Sequence, residues 1–203
     1  NNRSWNNGDH GFDHLDAIGT THVHNVASGN YNDGFSIEGN SPNTQVYNCI
    51  SVDNGLTTDR FNLWVNAASA VGFVSDFNIL WNSTDQEPVK FITTKYRLLN
   101  DYKLASGQDA HSLQANPLFV NPRGGDFMPL KGSPAIDAGN SGVPNWPAND
   151  IFGNARFDDP DTPDVGVGPV TFADIGAVEY VQTSEQAPIE LSSPLPTVGG
   201  RRA

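Results

Sequence analysis

Asn7-Gly8-Asp9-His10-Gly11-Phe12 recurs 23 residues later as Asn30-Tyr31-Asn32-Asp33-Gly34-Phe35. The same offset carries Asn25 to Asn48 and Ser28 to Ser51. A looser third copy puts Phe61 26 residues after Phe35, sets Asp59 opposite Asp33 and His10, and places Asn78 30 residues after Asn48. Between these marks run short alternating segments, residues 22–26 and 45–50, bounded by Asn, Asp and Gly. Alternation of this kind is strand periodicity. A strand-and-turn repeat of roughly 20–30 residues cannot bury its apolar face alone and must stack on its neighbours, so the repeat predicts a solenoid. Each strand then pairs with its equivalent one coil away.

Composition agrees. The 203 residues include 22 Asn, 20 Gly and 14 Pro, a mixture that excludes a helical bundle. Eleven Phe, four Trp and five Tyr supply a core and exclude wholesale disorder. No apolar run is long enough to span a membrane, so no membrane insertion is expected. Asparagine tolerates left-handed corners, and stacked Asn side chains can form a hydrogen-bonded ladder. The series Asn25/Asn48/Asn78 is the ladder the repeat predicts. The formal charge of −12 argues against a nucleic-acid partner, because phosphate backbones are repelled. The lone Cys49 reads as a small buried apolar residue.

The organisation follows from changes in pattern. Residues 1–89 are read as β-helix coils and 90–111 as a short helical connection of net charge +2, with a helix over Thr94–Ala105 ended by Gly107. Residues 112–181 are read as a loop-rich cap of short strands on the solenoid's end, and 182–203 as a Pro-rich extended tail. Since the repeat is in full stride at Asn1, further coils upstream, or a partner chain covering the first coil, are expected.

The Asn-rich coils are followed by Gly107-Gln108-Asp109-Ala110-His111-Ser112-Leu113, Asn116-Pro117-Leu118-Phe119-Val120 and Gly132-Ser133-Pro134-Ala135-Ile136-Asp137-Ala138-Gly139. Next come Asp150-Ile151-Phe152-Gly153-Asn154-Ala155-Arg156 and Asp174-Ile175-Gly176-Ala177-Val178-Glu179-Tyr180. This ordered string resembles the secreted right-handed parallel β-helix proteins related to polysaccharide lyase family 9, the pectate lyase-like enzymes. The resemblance implies an all-β, right-handed parallel β-helix and a secreted or cell-surface location. It also implies an acidic polysaccharide partner and calcium-dependent cleavage by β-elimination. In such enzymes calcium neutralises the uronate carboxylate and acidifies the neighbouring proton, which a basic side chain removes. Asp9-His10-Gly11-Phe12-Asp13 resembles the family's calcium cluster, with His10 in place of an aspartate. The implied calcium ligands are therefore Asp9 and Asp13, with Asp33 one coil on as a third carboxylate. No lysine precedes Lys90, and Arg60 is the cation left to act as base. Lys90, Lys95 and Trp81 are the expected substrate contacts, with Trp64 and Tyr96 as further stacking surfaces. A non-catalytic surface protein that binds glycan or self-assembles is the competing expectation.

Two other groups stand out. His10, His14, His22 and His24 offer a transition-metal site or, more simply, solvated strand faces. Asp137, Asp150 and Asp174 sit beside Gly or Ile and read as turn caps ahead of metal ligands.

Overall fold

The computed structural model describes residues 1–182; all but the first residue of the expected tail lies outside them. Within that span the chain is a parallel β-solenoid of about four turns. Three parallel sheets form its walls. Sheet A holds β1 (Asn2–Trp5), β4 (Asn25–Ser28), β7 (Ile50–Val52) and β10 (Ile79–Trp81), and Leu113 adds a bridge to Ile79. Sheet B holds β2 (Phe12–Leu15), β5 (Phe35–Glu38), β8 (Leu63–Val65) and β11 (Val89–Phe91), with β12 (Thr94–Tyr96) joining antiparallel. Sheet C holds β3 (Thr21–Val23), β6 (Gln45–Tyr47) and β9 (Val74–Asp76). None of the described helices is long and apolar enough to cross a membrane.

The repeat marks hold at the start of sheet B and drift elsewhere. Phe12 lies over Phe35 as the 23-residue offset requires, their rings stacked at 5.0 Å. An extra residue in the turn after β5 shifts sheets A and C to an offset of 24, so Ser51 lies over Ala27 and Ser28 over Val52. Four extra residues between β7 and β8 put Leu63, not Phe61, over Phe35. Phe61 instead donates its backbone N–H to the Asp33 side chain, and Asp59 is not opposite Asp33.

The asparagine ladder exists, at other positions. The side-chain oxygen of Asn30 accepts from Asn7, that of Asn54 from Asn30, and that of Asn62 from Asn54, at 2.8–3.1 Å. Asn62 then donates to Asn82 at 2.8 Å. In the expected series, Cys49 occupies the rung between Asn25 and Asn78. Asn48 sits one residue earlier, at a left-handed corner shared with His24 and Phe77. Only three of the fifteen asparagines before residue 83 have positive φ (Asn6, Asn43 and Asn48). Their larger job is to satisfy buried backbone groups that a coil's turns leave unpaired.

Two cores follow. The solenoid interior packs Ala27, Phe35, Ile37, Val46, Cys49, Leu63, Val65, Phe73, Leu80 and Val89. Each large side chain buried there contributes ~1.5–3 kcal/mol. Its far end is closed by α1 (Leu99–Ser106), whose Leu99 and Tyr102 enter the interior, and Gly107 ends the helix in a left-handed cap as expected. The helix is shorter than its spacing predicts, because Thr94–Tyr96 folds back as β12.

The second core lies outside sheet A, where Val26, Ile50, Val52 and Ile79 meet Phe119, Phe127, Ala135, Ala138, Ile175 and Val178. The C-terminal module is therefore a flank, not an end cap: it lies along sheet A back to the first coil. There Arg3 donates to the Gly125 carbonyl and Asn1 to that of Asn149. The module contains β13 (Phe119–Asn121), a 3-10 turn (Pro122–Gly124) and β14 (Asp126–Pro129). Residues 175–180, which alternate like a strand, are irregular; Ile175 and Gly176 spend their N–H groups on Ala135 and Asn48. Sheet A is thus covered by the module, and sheet B presents a separate outer face.

Candidate functional site

Register alone builds a row of side chains on that face. Asp13 pairs with Ser36, Ser36 with Trp64, Trp64 with Lys90 and Lys90 with Lys95. Neighbours in this row stand ~4.8 Å apart along the solenoid axis. The residues on either side of Asp13, Ser36, Trp64 and Lys90, such as Phe12 and His14 or Leu63 and Val65, pack toward the interior, so these four point to the outer side, where Ser36 is itself covered (0% exposed). It is acidic at one end, aromatic in the middle and basic at the other.

At the acidic end, His10, Asp13 and Glu38 bring a ligand atom each within 4.8 Å of one another. The Glu38 carboxylate accepts from the Ser36 hydroxyl at 3.2 Å. Asp9 and Asp33 approach His10 from opposite sides: Asp9 Oδ1 is 3.4 Å from Nε2 and Asp33 Oδ2 is 3.3 Å from Nδ1. The Asp33 backbone N–H also donates to Nδ1 at 3.1 Å, which places the proton of neutral His10 on Nε2, toward Asp9. Asp33 is fully buried, and its Oδ1 is committed to the Phe61 N–H at 2.6 Å. Burial pushes its carboxyl up to about 6, against the pull of that N–H, of His10 and of Arg60. Exposed Asp9 is held below the ordinary range, first by the Asn32 amide and then by the charges of His10 and Arg60.

At the basic end, the Lys90 ammonium lies 5.1 Å from the Trp64 ring centroid and 5.8 Å from that of Phe61. The Arg60 guanidinium is 5.7 Å from Trp64, and Lys95 is 5.3 Å from Phe61. Aromatic faces attract cations in this way by ~0.5–2 kcal/mol and hold them on an otherwise acidic protein. Asp59 pairs with Lys95 at 2.6 Å and not with its neighbour Arg60.

The face thus collects Asp13, Arg60, Lys90 and Lys95, with Asp9 and Asp33 beside them through His10. Glu38 and Trp64 complete it. Glu38 lacked a signal in the repeat, where its counterpart is Leu15; only the outward alternation Ser36/Glu38 marks it. Trp81 is elsewhere, packed against the outer core of sheet A. Comparison with family models, with curated proteins and with solved structures finds no match.

The remaining candidates are structural. His14, His22 and His24 are buried, not solvated. His24 bonds the Gly176 carbonyl at 3.0 Å and the Asn48 amide at 3.1 Å. Asp150 and Asp174 are turn caps: their oxygens accept from Phe152, Asn154, Glu179, Asp137 and Tyr180 backbone N–H groups. Cys49 is buried, its thiol pushed up to about 12 by desolvation, and it is no nucleophile.

Proposed function

We propose that the chain is a polysaccharide-active β-helix protein whose outer sheet-B face binds an acidic glycan. The observation that carries this reading is the register-aligned row Asp13–Ser36–Trp64–Lys90–Lys95. A linear row along a flat sheet suits a polymer, whose repeating units meet successive strands. Trp64 offers an apolar face to a sugar ring, and Arg60 and Lys90 meet its carboxylates. Asp13 and Glu38 fit a calcium ion, a hard cation that takes carboxylate oxygens and water, with His10 held beside them by Asp9 and Asp33. Bound there, calcium would supply the positive charge that lets an acidic glycan lie against an acidic cluster. A secreted or cell-surface location, a right-handed coil and kinship with family 9 lyases belong to the same reading.

A second reading is that the bound chain is cleaved by β-elimination. It turns on Arg60, the basic side chain 5.7 Å from the Trp64 ring on this face. In it a neutral Arg60 guanidine takes the proton next to the uronate carboxyl, the C4–C5 double bond forms, and the glycosidic C4–O bond breaks to release the departing sugar. Incubation with polygalacturonate, with calcium or with chelator, separates the two. Unsaturated product absorbing in the ultraviolet, lost in Arg60→Ala, establishes the lyase. Retention on a polygalacturonate gel without product leaves a binding protein, and neither result refutes the proposal.

A further inference from the structure

The flanking module contains five acids that are buried, and four of them are answered. Asp150 and Asp174 accept backbone N–H groups on both oxygens. Asp159 accepts from Asp161 and Thr162, and Glu179 from Arg156 and Phe157. Asp137 is the exception. It is 0% exposed, yet neither carboxylate oxygen has a hydrogen-bond partner. Among the described residues it is the only buried acid with both oxygens orphaned. What those oxygens face is more negative charge: carboxylate oxygens of Asp137, Asp158 and Asp164 lie within 4.8 Å of one another.

An ionised carboxylate buried without partners and beside two others is strongly unfavourable unless a cation or a proton joins it. The backbone is organised around the same point. Val165 and Gly166 both donate N–H to the Asp137 carbonyl, at 2.9 and 2.8 Å, which holds the segment carrying Asp158 and Asp164 against the module core. Asp137 itself is in the left-handed region (φ 52°), which a short polar side chain tolerates.

We propose that Asp137, Asp158 and Asp164 form a calcium site that fastens the 157–165 loop to the flanking module. Three carboxylates supply hard oxygen donors only, and the exposed loop leaves room for the waters that complete calcium's six to eight ligands. No sulfur or imidazole is in the cluster, so softer metals have nothing to select them. The site lies in the flanking module, and its ligands are independent of the Asp13/Glu38 pair on sheet B.

The test is calcium titration of the full chain, stripped with chelator, followed by calorimetry and thermal unfolding. The expected result is a saturable rise in Tm that magnesium does not reproduce. Asp137→Asn is expected to weaken this response roughly tenfold or more, while the calcium-free variant melts at or above the wild type. Asparagine suits the left-handed backbone and removes the unpaired charge. The double variant Asp158→Asn/Asp164→Asn, at exposed positions, gives the same loss without touching the core. Asp13→Asn/Glu38→Gln leaves the Tm response intact. No calcium response in the wild type, one that magnesium equals, or one that survives both loop variants would overturn the site.

Discussion

The Nε2 atoms of His14 and His22 lie 2.6 Å apart inside the solenoid, and their neighbours decide which carries the proton. The Asn25 amide donates to His22 Nδ1 at 2.8 Å, so His22 bears its proton on Nε2 and donates it to His14. His14 then donates from Nδ1 to Thr20, Thr20 to Thr44, and Thr44 to the Ser41 carbonyl. A second proton on either ring would set N–H against N–H.

This chain predicts acid sensitivity. Burial lowers His14 and drives His22 down to about 3, the latter helped by the charges of His14 and the N-terminus; Asp13 pulls His14 the other way. Imidazoles with depressed folded values contribute fully above their ordinary ~6.5 and lose stability as pH falls below it, for His22 down to about 3, by up to about 1.4 kcal/mol per pH unit each. Buried His24 acts in the same direction, whereas Asp33, raised to about 6, gains stability as pH falls from 6 to its ordinary ~3.8. Comparison of His22→Gln with the wild type in urea unfolding at pH 7 to 4 isolates the pair. The variant's curve should be flatter with pH; parallel curves would show that the pair does not titrate as described.

Asn54 is the most heavily bonded rung of the ladder. Its amide donates to Ala27, Ser51, Val52 and Asn62, and its oxygen accepts from Asn30 twice. Asn54→Ala strands several buried groups at once and should cost about 3 kcal/mol or more in urea unfolding. Asn7→Ala, at the exposed end, should cost less than about 1 kcal/mol.

Gly34 and Gly11 stack between the same turns of neighbouring coils. A Cβ at Gly34 would strike the Ser51 hydroxyl, and one at Gly11 would sit 2.7 Å from the Gly34 carbonyl oxygen. Gly34→Ala should therefore destabilise by at least ~1–3 kcal/mol, through overpacking. Gly8→Ala, with open space around it, should lie within about 0.5 kcal/mol of wild type. Thermal melts of the two variants check the contrast.

How much of this was legible beforehand depends on how far an offset can be trusted. The Gly11-Phe12/Gly34-Phe35 match revealed the solenoid because those residues are locked by close approach and ring stacking. One residue added after β5 and four between β7 and β8 then broke the alignment. The Asn ladder and the Asp59/Asp33 pairing were misplaced for that reason, and Lys90 looked remote from Asp13 when it shares its row. The flanking position of the module had a readable signal. Ile50 and Val52 alternate with Ser51, and the interior takes Ser51, so the apolar side of β7 faces outward and needs a cover. The orphaned oxygens of Asp137 had none, since Asp137, Asp150 and Asp174 look alike until their hydrogen bonds are seen.

Binding of polygalacturonate to the sheet-B face is the central claim, and titration calorimetry of the full chain measures it directly. Trp64→Ala and Lys90→Ala should each weaken binding roughly tenfold or more, about 1.4 kcal/mol, while Lys131→Ala on the flanking module leaves it unchanged. Wild-type affinity in both row variants, with their melting temperatures preserved, would contradict the assignment of the face.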